Sequence, residues 1–158
     1  IYEKIFKLRT HGANKKFKHE IVGINSRLHT MQAVILNHKL RRINIINNKK
    51  RKIAKYYYKK INNKKIQLFH ISSNSCFHQF VVLVKNRKLF LQHLAKNKIP
   101  YGFHYPYTIH NIKAFKKYCI DKKFENSVLI AKRGVSLPMD PYLKKKQLSY
   151  IINKINCF

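Results

Sequence analysis

Eight consecutive residues, Phe77-His78-Gln79-Phe80-Val81-Val82-Leu83-Val84, constrain the fold more than any other stretch. The run is β-branched and aromatic, which reads as a buried strand. Asn86 follows as a suitable N-cap for a helix from Arg87 to about Lys96, with Phe90 and Leu94 facing inward. Residues 99–105 return as a strand that Pro106 stops. Strand, helix, strand in this order describes helices packed on one side of a small sheet.

Helical periodicity accounts for most of the remainder. Residues 1–9 read as the end of a helix, with Gly12 as its C-terminal stop, and 13–24 as a polar, basic loop. A helix from about His29 to Asn47 carries Leu36, Leu40 and Ile43 at i, i+4 and i+7, and Met31 with Ile35 widens that stripe. A second helix, Lys49 to Ile61, turns Ile53, Ala54, Tyr57 and Ile61 inward. A short strand at 66–70, helices at 111–118 and 125–133, and an extended stretch at 135–141 with two prolines follow. The last helix, about 144–156, has Leu148, Ile151, Ile152 and Ile155 on one face. The expected class is α/β, or α+β for this length of chain. At 158 residues it is long enough for one domain with a real core and short for two.

The charge is unusual: 35 Lys+Arg against 5 Asp+Glu, a formal net of +30. Such a balance points to nucleic acid or an anionic surface. A coding sequence rich in A and T explains it slightly better. Lysine travels here with Asn, Ile, Tyr and Phe, Gly and Pro number 4 each, and the basic residues run along the whole chain. The run Lys49-Lys50-Arg51-Lys52 could meet phosphates or form a solvated helix face. Cys76, Cys119 and Cys157 are scattered and read as reduced thiols of a cytoplasmic protein. No apolar run reaches the roughly 20 residues that span a bilayer, so no membrane partner is expected. The chain opens at Ile1 in mid-helix pattern, which suggests a piece of something longer.

Familiar catalytic constellations are absent. Glu3, Glu20, Asp121, Glu125 and Asp140 lie far apart in sequence, and nothing marks a carboxylate pair. The 9 histidines show no metal-ligand spacing, and there is no glycine-rich phosphate loop. On residues alone the chain reads as a binding or accessory domain. Its most suggestive stretch is 23–40, where Gly23 permits a tight turn, Asn25 and Arg27 follow two residues apart, and an apolar-periodic helix begins. An amide and a guanidinium at a helix entrance suit anion recognition. A capped helix with a solvated arginine accounts for the same residues.

Several segments, in order, resemble one family. They are Leu8-Arg9-Thr10-His11-Gly12, then Gly23-Ile24-Asn25-Ser26-Arg27-Leu28 with Met31-Gln32-Ala33 and Ile35-Leu36. Next come Asn47, Lys50, Arg51, Ile53, Ala54 and Tyr57, then Phe103-His104-Tyr105-Pro106, then Ser136-Leu137-Pro138-Met139-Asp140-Pro141-Tyr142-Leu143. Together they resemble the DegT/DnrJ/EryC1/StrS sugar aminotransferases, which use pyridoxal 5'-phosphate in the aspartate-aminotransferase fold. The wording of the last two segments is most similar to members that aminate 3-keto UDP- or dTDP-linked sugars, including hexuronates, for surface polysaccharides.

The resemblance implies a C-terminal part of that fold, with long helices and a small, mostly antiparallel sheet. Residues 1–61 would be the end of the large domain and connecting helices, and 62–158 the small C-terminal domain. It implies a homodimer in which Asn25 reaches the cofactor phosphate held by the other subunit. Arg27 would bind a carboxylate of substrate or of the glutamate donor, and His104 with Tyr105 would line the nucleotide-sugar site. It also places the cofactor lysine upstream of Ile1, so no catalytic residue is expected in this chain and it would be inactive alone. His29 replaces the family's usual Asp, Leu83 a common Arg, and Lys144 the usual Thr or Ser cap. Two alternatives stand beside this reading: a basic RNA-binding, ribosome-associated module, and a non-functional remnant of an aminotransferase gene.

Overall fold

In the computed structural model, residues 1–15, 17–69, 72, 74–119 and 124–158 are described. By its own contacts the chain divides into residues 1–43 and residues 44–158.

Residues 1–43 hold helix α1 (Tyr2–Arg9), a small antiparallel pair, β1 (Ala13–Lys15) and β2 (Lys18–His19), and helix α2 (Thr30–Leu40). The stop after α1 is as expected. Gly12 sits at φ +76° and returns its N–H to the Lys7 carbonyl at 2.7 Å. The expected loop at 13–24 instead folds back as the β1–β2 pair, joined through Phe17 at φ 65°. No alternating apolar pattern announces so short a ladder. The helix expected from 29 to 47 ends at Leu40, where the Arg42 N–H turns back to the Lys39 carbonyl at 3.0 Å. No Gly or Pro marks that break. His29 is the N-cap of α2 and makes no side-chain capping bond, where an Asp carboxylate would suit the first turn's free N–H groups.

Residues 44–158 carry the core. Helix α3 (Ile43–Lys60) runs unbroken through Asn47 and Asn48, because Asn48 accepts from Arg51 at 2.9 Å and the next turns bury Ile53, Ala54 and Tyr57. Strands β3 (Ile66–Leu68), β4 (Phe80–Val84) and β5 (Gly134–Leu137) form an antiparallel sheet with β4 in the middle. The expected strand at 66–70 is this β3; His70 lies outside the described residues. Phe80, Val82 and Val84 face a single cluster with Tyr57 of α3, Phe90 and Leu94 of α4 (Arg87–Lys96), and Leu148, Ile151, Ile152 and Ile155 of α6 (Lys145–Asn156). The Asn86 side chain caps α4 by accepting from the Leu89 N–H at 3.2 Å.

Three expectations need correction here. The strand at 99–105 does not form. Pro100 has no N–H to donate, and only Gly102 pairs, exchanging both backbone bonds with Ser136 at 3.1 and 2.8 Å. The helix at 111–118 is reduced to two 3₁₀ turns, Ile109–Asn111 and Lys116–Tyr118. None of residues 109–119 is buried, so no packing sustains a longer helix. Helices also do not keep to one face of the sheet. Helix α5 (Glu125–Arg133) lies against β4 and β5. A Cβ on Gly134 would stand 2.6 Å from the Ile130 carbonyl oxygen and 3.5 Å from Val81, which points away from the core cluster. The strand forms only over 80–84, and that stretch is apolar on both faces because both are covered; His78 ahead of it is exposed.

Candidate functional site

The four residues singled out in the sequence fall into two pairs in separate compact units. Asn25 and Arg27 belong to residues 1–43, and His104 with Tyr105 belongs to residues 44–158.

The first pair is presented by two glycines packed against each other. A Cβ on Gly23 would fall 2.2 Å from the Gly12 nitrogen, and one on Gly12 would fall 1.6 Å from the Ile21 carbonyl oxygen. Only bare backbone fits at either position. The close approach lets 21–26 run beside the end of α1. Ile24 N–H reaches the Leu8 carbonyl at 2.8 Å, His11 N–H the Ile24 carbonyl at 3.0 Å, and Ser26 N–H the Arg9 carbonyl at 3.0 Å. Asn25 is thereby paired with Thr10 as an isolated bridge. The two motifs that looked separate, Thr10-His11-Gly12 and Gly23-Ile24-Asn25-Ser26-Arg27, are one structure.

Asn25 and Arg27 are exposed, and neither side chain hydrogen-bonds among the described residues. Arg27 lines a cavity of about 610 Å³ together with Thr10, His11, Asn14, Lys15 and His19. The His19 Nδ1–H donates to the His11 carbonyl at 2.9 Å, which leaves Nε2 as the free ring nitrogen. Opposite charge is scarce. Glu20 pairs with Lys7, and that hydrogen bond holds its carboxyl below the usual range. The Asn14 amide donates to Glu20 Oε1 at 3.4 Å, and Phe6, Ala13 and Phe17 also line the hollow. The guanidinium, ammonium and imidazole donors that remain fit a phosphate or carboxylate. Asn14, Lys15 and His19 were missed in the sequence. They join Arg27 only because β1 and β2 pair, which no periodicity signals.

The second pair sits on the loop after α4. His104 Nδ1 is 2.8 Å from the Ser136 hydroxyl, and His104 lines a cavity of about 240 Å³. Tyr105 is 74% exposed and meets the His104 ring edge-on, with centroids 5.4 Å apart. The Arg87 guanidinium covers the neighbouring Phe103 ring at 5.1 Å and donates to the Ala131 carbonyl at 2.6 Å. Ser136 lay inside a quoted motif but had no role until the fold brought it to His104.

The basic run at 49–52 has a structural use. Arg51 donates to the Ser75 and Asn74 carbonyls at 3.0 and 3.2 Å, and Lys49 lies over the Tyr142 ring at 4.7 Å. Among the described residues no group of three His, Cys, Asp or Glu could hold a metal, and no helix is long and apolar enough to cross a membrane. The three cysteines are free thiols.

A family model for the DegT/DnrJ/EryC1/StrS aminotransferase family matches residues 1–156. The chain belongs to that family. It is 34% identical over 156 residues to the dTDP-3-amino-3,6-dideoxy-α-D-galactopyranose transaminase of Aneurinibacillus thermoaerophilus, covering 98% of this chain and 43% of that protein. It is 30% identical to the UDP-N-acetyl-3-dehydro-α-D-glucosamine 3-aminotransferase of Acidithiobacillus ferrooxidans, covering 96% and 42%. A solved family aminotransferase from Brucella abortus matches with a TM-score of 0.85 at 26% identity, over 98% of this chain and 42% of that one. The chain thus spans less than half the length of these relatives. Aminotransferases of the family use pyridoxal phosphate. The α+β fold with its small antiparallel sheet agrees with the sequence reading.

Proposed function

We propose that this chain works as the C-terminal portion of a pyridoxal-phosphate-dependent transaminase that moves an amino group from glutamate to a keto nucleotide-sugar in the cytoplasm, for surface-polysaccharide synthesis. The observation that carries the reading is the Gly12–Gly23 contact, which sets Asn25 beside Thr10 at the end of α1 and leads into Arg27; Arg27 lines the adjoining hollow and Asn25 does not. Both relatives described above act on sugars linked to UDP or dTDP, which supports a nucleotide-sugar substrate.

The donor set fits the cofactor's anionic end. Asn25 would hold the phosphate of a cofactor seated in the other subunit of a homodimer. Arg27 would take a carboxylate, and the pair His104 and Tyr105 would take the nucleotide-sugar. Pyridoxal phosphate supplies the electron sink for amino transfer. The lysine that anchors it would lie outside this sequence, so this chain alone is expected to be inactive. On this reading, residues 1–61 complete the large domain and its connecting helices, and residues 62–158 form the small domain.

Co-expression of the chain with the N-terminal portion of the Aneurinibacillus relative tests the assignment. The expected product keeps pyridoxal phosphate through gel filtration, seen by its visible absorbance, and Asn25→Ala lowers that retention. An assembled, folded complex that holds no cofactor overturns the reading.

A further inference from the structure

Ser136 and Gly102 form a seat for the imidazole of His104. Ser136 is 3% exposed, and its hydroxyl lies 2.8 Å from His104 Nδ1. Its backbone is fixed on both sides, by β4 through Val81 and by the two hydrogen bonds exchanged with Gly102. Gly102 carries no side chain where one would press on the ring. A Cβ there would stand 3.2 Å from His104 Cε1 and 3.7 Å from Nδ1. A serine hydroxyl held by a sheet, on a ring lying over a glycine, leaves the imidazole one orientation; the hydroxyl can donate to Nδ1 or accept from it, and in either case Nε2 is the ring nitrogen left over.

The cavity beside this seat differs in kind from the other hollows. Gln79, Tyr101, Gly102, His104, Ser136 and Met139 are among its lining, and no charged residue is. In a chain of net charge +30, an uncharged lining favours hydroxyl and amide groups over phosphate.

We propose that Ser136 is a positioning residue: its buried hydroxyl, with the bare backbone of Gly102, locks the His104 ring so that Nε2 is presented to an uncharged hydroxyl group of the ligand. The inference rests on the nucleotide-sugar reading of His104 and deepens it, assigning this corner to the sugar's hydroxyls and not to its diphosphate. Ser136 acts only through His104.

Proton–proton nuclear Overhauser contacts in the labelled 158-residue chain test the lock. The parent should show a strong contact between the His104 Hε1 and the Gly102 α-protons. Ser136→Ala should weaken it, and Ser136→Thr, which keeps the hydroxyl, should restore it. An unchanged contact in Ser136→Ala overturns the proposal, as does a folded Ser136→Thr chain that fails to restore it. If Ser136→Ala does not fold, Gly102→Ala decides by crowding the ring without touching the hydroxyl. Loss of the Hε1 contact to position 102 supports the lock, and a strong contact to the new methyl overturns it. None of these readouts needs ligand. Titration with UDP-glucose is a separate arm. A locked ring that ignores the sugar nucleotide would overturn the ligand reading and leave the lock standing.

Discussion

Residues 1–43 and residues 44–158 are held by different physics. Every buried hydrophobic side chain described lies in the second unit, from Ile53 to Ile155. In the first, Gly12 alone is buried, and shape comes from backbone hydrogen bonds between the end of α1 and residues 21–26. Met31, Ile35, Leu36 and Leu40 of α2 are all more than half exposed. A unit of about 40 residues cannot bury enough surface to form its own core. The contrast teaches that the anion-suited turn is specified by glycines and backbone, whereas the His104 loop is hung on a packed sheet.

The largest effect expected is in the second unit. Tyr57 is fully buried, donates to the Pro138 carbonyl at 2.9 Å and packs on Phe80 with ring centroids 4.9 Å apart. Tyr57→Ala should cost about 3–5 kcal/mol in a urea titration, the range for truncating a large buried ring. Tyr57→Phe, which loses only the hydroxyl's bond, should cost about 1 kcal/mol. Burial also pushes the Tyr57 phenol well above its ordinary pKa. A raised folded pKa adds stability that is full below the unfolded value and lost as pH rises through the folded one, so Tyr57 should ionise only with alkaline unfolding. Equal costs for Ala and Phe would break the claim that packing dominates this unit.

Gly23→Ala probes the other physics. The added carbon would lie 2.2 Å from the Gly12 nitrogen and 2.7 Å from the Leu8 carbonyl oxygen, so backbone must part. The expected cost is more than about 1 kcal/mol, confined to residues 1–43. Amide exchange at Ile24 and Ser26 should quicken, while amides of β4 and β5 keep their protection. If β4 and β5 lose protection as well, the two units are not independent in stability.

What the sequence disclosed follows the same divide. The Tyr57 face of α3 and the Leu148–Ile155 face of α6 were legible because a buried stripe repeats with the helix. Asn25 and Arg27 stood out in the sequence as an amide and a guanidinium at a helix entrance, His104 and Tyr105 only as part of an ordered motif. The seat of His104 was not, because Gly102 and Ser136 meet through a single backbone bridge with no pattern of its own. The strand expected at 99–105 failed for the same reason, since Pro100 limits pairing to that one contact. The break at 41–42 carries no punctuating residue, and the stripe that runs up to it is left exposed.

A smaller effect belongs to the one ion pair described, Lys7 with Glu20. The hydrogen bond from Lys7 holds the Glu20 carboxyl below its ordinary value. A lowered folded pKa means the contribution is present above the unfolded carboxylate's pKa and is lost as pH falls through the folded one. Carboxyl ¹³C titration should show Glu20 moving toward an ordinary glutamate in Lys7→Met. Added salt should do the same to the parent, because the pair faces solvent. An unmoved titration would remove Lys7 as the cause.

The smallest expected effect is the sharpest test of the contrast. Leu36 and Ile53 are aliphatic side chains on consecutive helices, yet Leu36 is 53% exposed and Ile53 7%. Truncating an exposed side chain leaves no cavity, because water already fills the space around it. Leu36→Ala should therefore change the stability measured by urea titration by less than about 0.5 kcal/mol, the ordinary range for surface changes. Ile53→Ala should cost about 2–5 kcal/mol. Alanine is also the better helix former, which offsets part of any loss at Leu36. A Leu36→Ala cost approaching that of Ile53→Ala would mean that the α2 stripe is buried in solution. Concentration dependence of that cost would then trace the burial to a second copy of the chain, since only association makes stability depend on protomer concentration.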